Sequence, residues 1–449
     1  MTITTVILAA GQGTRMNSKK PKVLHPLLGK PLIYYSLEAV RQVTDACPVV
    51  IIGHGSEEVR KAIDDQAQLV LQRPQLGTGH AVMQAAPLLQ GVSDLVLVLP
   101  ADMPLLSPDT LKRMVAEASR NRGPVTILSV ISDQARGFGR VIRNPEGEVI
   151  AIVEEAQATP DQLSILELNV GVYCFRNEWL WQALPRIPIS QKGEYYLTDV
   201  VEIAVQDGLA VGSLTTQDVA ETIGINNRAH LAEATAVMRK RINEYWMVSG
   251  VTLVDPEATY IEPEVAIGKD TTVWPGTYLQ GSTVVGEDCE IGPNAIVRDT
   301  QIGNGCKIFM SVLDQALVED QVDIGPFGHL RKGAHLCRGV HMGNFGEVKN
   351  STLGPATKMG HFSYIGDATI GSEVNIGAGT ITCNFDGERK NPTEIGDRVF
   401  IGSDTMLVAP VKLGEGSRTG AGAVVTKNVQ PYTLAVGVPA RAIRKLEKK

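Results

Sequence analysis

Two architectures are predicted within one chain: an α/β domain built on a mostly parallel sheet, followed by a parallel β-helix. Three observations predict them. Short β-rich runs alternate with helical stretches through the first half, aliphatic residues recur every six positions through the second, and 28 of the 45 glycines stand at or after Gly250. At 449 residues the chain also exceeds the roughly 250–300 residues at which single hydrophobic cores stop growing, so two or more domains are expected.

In the first half the elements read in order as a strand at Val6–Ala10, a helix over 31–43, a strand at Val49–Ile52, a helix over 56–63, a strand over 94–99 and a helix after Ser107. Such alternation predicts a parallel sheet covered by helices, with ligands at the carboxyl ends of the strands. Gly11 and Asp102 lie at two such ends. Around Gly11 the stretch LAAGQGTRM opens like a dinucleotide fingerprint, but Met16 takes the place of its third glycine, and the GK[ST] ending of a Walker loop is missing. Arg15, Lys19, Lys20 and Lys22 follow closely. A strand entering a turn of small residues brings backbone N–H groups near an anion, and the cations supply charge for phosphate oxygens. The loop reads either as a triphosphate cradle or as an ordinary strand-to-helix turn.

In the second half Ile267, Val273, Leu279, Val285, Ile291 and Val297 fall six apart; Ile302 and Ile308 follow after a slip of one. Ile324, Leu330, Leu336, Met342 and Val348 resume the count, as do the pairs Met359/Ile365 and Ile370/Ile376 and the run Ile395, Ile401, Leu407, Leu413. This hexapeptide period predicts a narrow prism with aliphatic side chains inside and glycines and small residues at the corners; the period does not set its hand. Residues 382–394 interrupt it with a polar excursion of the kind that carries ligand contacts. Between the halves, Leu231, Met238, Ile242 and Tyr245 at helical spacing predict a connecting helix ending before Gly250. The expected organisation is residues 1–228, a linker helix 229–248, a β-helix 249–437 and a tail 438–449.

A net charge of −7 argues against a general nucleic-acid partner. The N-terminus lacks a basic n-region, and no segment approaches the ~18 apolar residues of a membrane span, so a cytoplasmic protein without a membrane partner is expected. The six cysteines form no CxxC pair, which suggests neither a zinc site nor a disulfide framework.

LAAGQGTRM, Pro21-Lys-Val-Leu-His25, Gln75-Leu-Gly-Thr-Gly-His80, Asp102-Met-Pro-Leu105 and Gly193-Glu-Tyr-Tyr-Leu-Thr-Asp199 stand before the repeats. Gly360-His-Phe-Ser-Tyr364 and Asn375-Ile-Gly-Ala-Gly-Thr-Ile-Thr-Cys-Asn384 stand within them. Together, and across essentially the whole chain, these motifs resemble the bacterial bifunctional N-acetylglucosamine-1-phosphate uridylyltransferase and glucosamine-1-phosphate N-acetyltransferase family. The resemblance implies a Rossmann-like nucleotidyltransferase domain, a left-handed β-helix and a homotrimer. It also implies a first domain that joins UTP to N-acetylglucosamine 1-phosphate with release of pyrophosphate, and a β-helix that acetylates glucosamine 1-phosphate from acetyl-CoA. In-line attack at an α-phosphorus brings anions together, so it calls for cations and a metal.

By resemblance Arg15 and Lys22 supply that charge, and Asp102 and Asn226 hold Mg²⁺. UTP and UDP-N-acetylglucosamine would be met by Leu8, Ala9, Ala10, Gly11, Lys22, Gln72, Gly77, Thr78, Gly139, Glu154, Asn169 and Asn226. In the β-helix His361 matches the general base, suited to deprotonating an amine near neutral pH. Arg331, Lys349, Tyr364, Asn375, Asn384 and Lys390 would meet glucosamine 1-phosphate, and Ala378, Asn384, Phe385, Ser403, Ala421 and Arg441 acetyl-CoA. The sequence departs from the family at Ala101, where glycine is common, at Phe385, where tyrosine is common, and in a tail in which Arg441 or Arg444 replaces a basic CoA contact. Two rival readings remain: a sugar nucleotidylyltransferase whose β-helix serves only assembly, and a non-catalytic subunit that senses nucleotide sugars. The set His361, Asn384 and Lys390 argues against the first, and Arg15, Lys22 and Asp102 together against the second.

Overall fold

The computed structural model describes residues 1–447, which divide into two compact units, one over Met1–Met238 and one from Arg239 onward. The last two residues of the expected tail, Lys448 and Lys449, lie outside the described residues.

The first unit is built on nine strands, β1 (Ile3–Ala9), β2 (Val49–Ile52), β3 (Gln68–Leu71), β4 (Leu95–Pro100), β5 (Val125–Ile131), β6 (Arg140–Arg143), β7 (Val149–Val153), β8 (Glu167–Arg176) and β9 (Val211–Thr216). They form the order β9-β5-β8-β4-β1-β2-β3, with β6 and β7 added beside β8. All pairs on the main path are parallel except those made by β8, which runs antiparallel between β5 and β4. The alternating pattern predicts the parallel part; β8 joins through a longer path that alternation does not reveal. Leu95 to Leu99 are all buried, as expected of a strand covered on both faces. Successive residues go to opposite cores: Val96 and Val98 join Val6, Val49 and Ile51 on one face, and Leu95, Leu97 and Leu99 join Ile7, Val50 and Ile52 on the other. The helix Pro108–Arg120 begins where its sequence dictates, with Pro108 in its first turn and the Ser107 hydroxyl accepting from Thr110 N at 3.1 Å.

In the second unit three sheets of 12, 10 and 9 short strands, parallel except for the last strand of the first, form the faces of a β-helix, beginning at Thr252–Leu253, Tyr260–Ile261 and Ala266–Ile267 respectively. The six-residue series is the inward row: Ile291, Ile308, Ile324, Met342 and Met359 stack in register on the first face, each almost fully buried. The corners differ from expectation in one respect. Glycine shares them with residues that adopt positive φ, among them Asp270, Asn294, Phe327, Phe345 and Asp404. Short polar side chains such as Asp and Asn tolerate this region, and they can also tie coils together: Asp299, at φ +45°, accepts from Ser282 N on the preceding coil at 3.0 Å.

The excursion stretches one coil, so that Asn375 pairs with Phe400, 25 positions on, where neighbouring coils advance by 17 or 18. It closes on itself: Asn391 N donates to Asn384 O at 2.7 Å, and Asp386 caps the turn by accepting from the amides of Glu388 and Arg389 at 2.9 Å. Those amides, with the Asn391 side chain, hold the Asp386 carboxyl down to about 2. Much of the expected tail folds back as well. Ala440–Lys445 pairs antiparallel with Thr433–Gly437 and extends the first face. The linker stretch is a single helix, Arg228–Val248, and Gly250 follows at φ +99°.

Candidate active sites

Adjacent parallel strands β1 and β4 end on one edge of the sheet, where β1 delivers the loop 10–16 and β4 delivers Ala101-Asp102. Met16 stands where a dinucleotide loop would carry glycine because it is buried in a small core with Leu27, Leu32, Leu105 and Ile225. Gly13, at φ +62°, is required by close approach, since a Cβ there would fall 2.7 Å from the Cβ of Lys22. The loop thus rests on Lys22, whose Nζ makes an ion pair with Asp102 and lies 3.0 Å from Asn226 Oδ1. Asn226 is brought in from far along the chain by a backbone bond, Ile225 N to Asp102 O at 2.9 Å. Ala101 is fully buried and its amide donates to Leu8 O at 3.0 Å, so its methyl packs into the core instead of toward the cleft.

A cleft of about 660 Å³ opens here, lined by Leu8 to Gly11, Arg15, Lys22, Gln72, Gly77, Thr78, Asp102 and Asn226. A smaller cavity of about 220 Å³ carries Gly139, Glu154 and Asn169 and shares Leu8, Thr78, Asp102 and Asn226 with the cleft. Every nucleotide, sugar and metal residue expected in this domain therefore borders one or both spaces. Two motifs far apart in sequence are stitched together beneath them: Gly79 N donates to Tyr195 O at 2.8 Å, and Leu197 N to the Thr78 hydroxyl at 3.0 Å. A Cβ on Gly77 would lie 2.6 Å from Tyr195 O.

Within the cavity a bulge in β8 shifts its register against β5 between Asn169 and Tyr173, with Gly171 at φ +82°. It lets the Asn169 amide donate to the Tyr173 hydroxyl at 2.8 Å. Glu154 accepts from the Thr198 hydroxyl at 3.0 Å, and burial pushes its carboxyl above the usual range. Asp199 is pushed up to about 6 by burial, then by the charges of Glu202 and Glu154. Sequence reasoning missed Gln75, Glu194, Tyr196, Thr198 and Tyr173 as lining residues. The first four stood inside motifs already singled out, whereas Tyr173 reads as an ordinary strand residue.

On the β-helix the period itself aligns four of the expected positions. The pairings Lys358/Asn375, Asn375/Phe400 and Phe400/Arg418 put His361, Ala378, Ser403 and Ala421 at the same corner of four successive coils. Backbone bonds bind that column: Gly379 N to Phe362 O at 2.7 Å, Asp404 N to Ala378 O at 2.6 Å and Gly422 N to Ser403 O at 2.8 Å. His361 is exposed at the head of a row of small residues. Arg441 continues beyond it, paired with Val436, which packs over Gly420.

The second cluster forms where the second face meets the excursion. Arg331, Lys349 and Tyr364 project from stacked coils, with Arg331 Nη1 2.8 Å from Glu347 Oε1 and Tyr364 paired to Glu347. Lys390 and Asn384 reach in from the excursion and share Asp367, at 4.0 and 2.5 Å. Gly366 also keeps space for these side chains: a Cβ there would lie 2.4 Å from Tyr364 Oη and 2.8 Å from Asn384 Nδ2. Burial works against the charge of Asp367, but the amides of Asn350 and Asn384 and the charges of Lys390 and Lys349 hold it below the ordinary range. Lys390, and then Arg331, crowd the Lys349 ammonium and lower its proton affinity. Three cations at such a point are costly alone and favour an arriving dianion. Asn375 stands apart from this group, on the first face between Lys358 and Phe400. Phe385 is 61% exposed on the excursion.

Residues 5–188 match the family described as MobA-like NTP transferase domain, and residues 264–299 and 392–427 match the bacterial transferase hexapeptide family. The chain is 44% identical over 441 residues to the bifunctional protein GlmU of Geobacillus sp. (strain WCH70), covering 98% of this chain and 96% of that one. It is 46% identical over 434 residues to the protein of the same name from Heliobacterium modesticaldum, covering 96% and 95%. A cleft fed by two strand ends and a histidine-headed corner of a hexapeptide β-helix thus occur together in a chain alike from end to end, and it belongs to the GlmU family, the bifunctional uridylyltransferases and acetyltransferases of UDP-N-acetylglucosamine synthesis.

Proposed function

We propose that the two reactions are performed by the residues gathered at these two places. The observation that carries the first is the convergence of Asp102 and Asn226 on one cation, the Lys22 ammonium. Two oxygens that already share a positive charge form the hard, oxygen-only donor set that suits Mg²⁺, so the residues present fit that ion. When bound, Mg²⁺ neutralises phosphate charge and orients the triphosphate. Arg15, exposed on the loop, and Lys22 hold the phosphates; Leu8 to Gly11, Gln72, Gly77 and Thr78 enclose the base and ribose. Glu154, Asn169 and the Gly139 backbone hold the sugar, so that the sugar phosphate oxygen attacks the α-phosphorus and pyrophosphate leaves.

In the β-helix, Arg331, Lys349 and Lys390 bind the phosphate of glucosamine 1-phosphate, and Tyr364 and Asn384 its ring and amine. His361 takes a proton from the ammonium; the free amine attacks the thioester carbonyl, the C–N bond forms, the C–S bond breaks, and the nitrogen sheds a second proton as the departing CoA thiolate takes one up. The corner of small residues from Ala378 through Ser403 to Ala421 gives acetyl-CoA a groove beside that base, with Phe385 and Arg441 at its margins.

Assembly as a homotrimer through the β-helix is supported by an exposed aromatic edge. Phe327, Phe345 and Phe362 occupy one corner position on consecutive coils beside His361, are 48%, 59% and 55% exposed, and the first two stack with ring centres 5.0 Å apart. No described helix is long and apolar enough to cross a membrane, and the expected location is the cytoplasm.

The test is a paired assay on one preparation, with glucosamine 1-phosphate, acetyl-CoA, UTP and Mg²⁺, in which CoA thiol and pyrophosphate are followed separately. Pyrophosphate release from glucosamine 1-phosphate is expected to require acetyl-CoA. Pyrophosphate from supplied N-acetylglucosamine 1-phosphate without any CoA release would rule out the acetyltransferase assignment for this β-helix.

A further inference from the structure

The third face of the β-helix carries a cluster that neither reaction uses. We infer that Glu319, His335 and Cys337 form a binding site for one thiophilic divalent cation of the zinc class. The topology makes them converge. Strands Leu317–Val318 and Ala334–Leu336 are neighbours, with Leu317 paired to His335 and Val318 to Leu336, so Glu319 falls opposite Cys337. The bond from Glu319 N to Leu336 O at 2.9 Å holds that register. His335 lies in the strand Ala334–Leu336 and Cys337 just past its end, and their side chains converge on the outer side of the face.

The donor atoms already stand at ligand-to-ligand separations. His335 Nε2 is 2.8 Å from Glu319 Oε1 and 3.8 Å from Cys337 Sγ, and all three donors lie within 4.8 Å of one another. Ligands about 2.0–2.3 Å from a zinc ion are themselves about 3–4 Å apart, so a cation enters with small adjustments. The carboxylate is oriented from behind: its second oxygen, Oε2, accepts from Arg338 N at 2.9 Å, leaving Oε1 for the ion. His335 and Glu319 are 31% and 41% exposed in their side chains, so an ion from solvent can reach them.

An ion pair between His335 and Glu319 accounts for the oxygen and the nitrogen; the Cys337 sulfur, 3.8 Å from the same Nε2, adds a third donor at the same point. A bound cation displaces the thiol proton of Cys337 to solvent and leaves a three-ligand site whose fourth position is open. Oxygen, nitrogen and sulfur together select a borderline-soft ion over Mg²⁺. The motif His335-x-Cys337 escapes a search for CxxC spacing because its third ligand comes from the preceding coil.

The experiment uses the full-length protein, stripped of metal with a chelator and titrated with Co²⁺ while the thiolate-to-cobalt absorption is followed in the near ultraviolet. One Co²⁺ per chain with that absorption is expected, displaced by Zn²⁺. Cys337→Ser should abolish the absorption, and His335→Ala should weaken Co²⁺ binding at least about 10-fold. Glu319→Gln, a near-isosteric change, should weaken binding and keep the absorption, and circular dichroism of each variant checks the fold. Absence of the absorption in the parent protein, or its persistence in Cys337→Ser through another cysteine, would overturn the site.

Discussion

The nucleotide cleft and the histidine corner are built by opposite strategies. In the cleft, Lys22, Asp102 and Asn226 come from three distant segments and meet because strands β1 and β4 are neighbours and Ile225 is tied back to Asp102. At the corner, His361, Ala378, Ser403 and Ala421 meet because each coil repeats the last. A solenoid converts sequence period directly into spatial alignment, each coil contacting its neighbours. An α/β sheet assembles its site from loops whose sequence spacing carries no such message.

If the two sites are independent, removing the central group of one leaves the other intact, and these are the largest effects expected. His361→Ala should lower acetyl transfer by about 10²–10⁴-fold, as for loss of a general base, with uridylyl transfer unchanged. Asp102→Asn should lower uridylyl transfer by about 10²–10³-fold with CoA release unchanged. Both are read in the paired assay, and loss of both activities in either variant would break the comparison.

Next in size is Gly366→Ala. Its methyl would lie 2.4 Å from Tyr364 Oη and 2.8 Å from Asn384 Nδ2, so one of them must shift. Acetyl transfer should fall about 10–10²-fold, chiefly through KM for glucosamine 1-phosphate, with uridylyl transfer unaffected.

Smaller, and a matter of stability in the first unit, is the effect of Asp199. Its folded value of about 6 lies above the ordinary 3.8, because burial and then Glu202 and Glu154 disfavour the charge. A raised acid contributes stability that is present below its unfolded value and is lost as pH rises through about 6. Asp199→Asn should therefore raise the melting temperature at pH 7.5, by about 2 °C, and leave it nearly unchanged at pH 4. An equal gain at both pH values would assign the effect to packing. The smallest change concerns the excursion: Phe385→Tyr should lower KM for acetyl-CoA about twofold to threefold, the worth of one exposed hydrogen bond.

How much was legible follows the same division. Met16 shows the limit of a motif read alone: from sequence it only set the loop apart from a dinucleotide fingerprint, and in the fold it is a core residue. Tyr173 could not be singled out at all, since only the bulge in β8 turns it into the cavity. In the β-helix the inward residues were legible from spacing, whereas corner residues such as Asp270 and Asn294 were not, because glycine is only one of several residues that accept positive φ.

By itself, then, the sequence determined the two architectures, the inward rows and the motifs that mark the family. Local pattern suffices there, because burial repeats every second residue in a strand and every sixth in this solenoid. Only the tertiary structure decided that Lys22 would stand between Asp102 and Asn226, that Lys390 would crowd Lys349, and that Glu319 would lie across from Cys337. Those meetings depend on pairings between distant segments. Charge and donor atoms act over a few ångströms of space, whatever the number of residues between them.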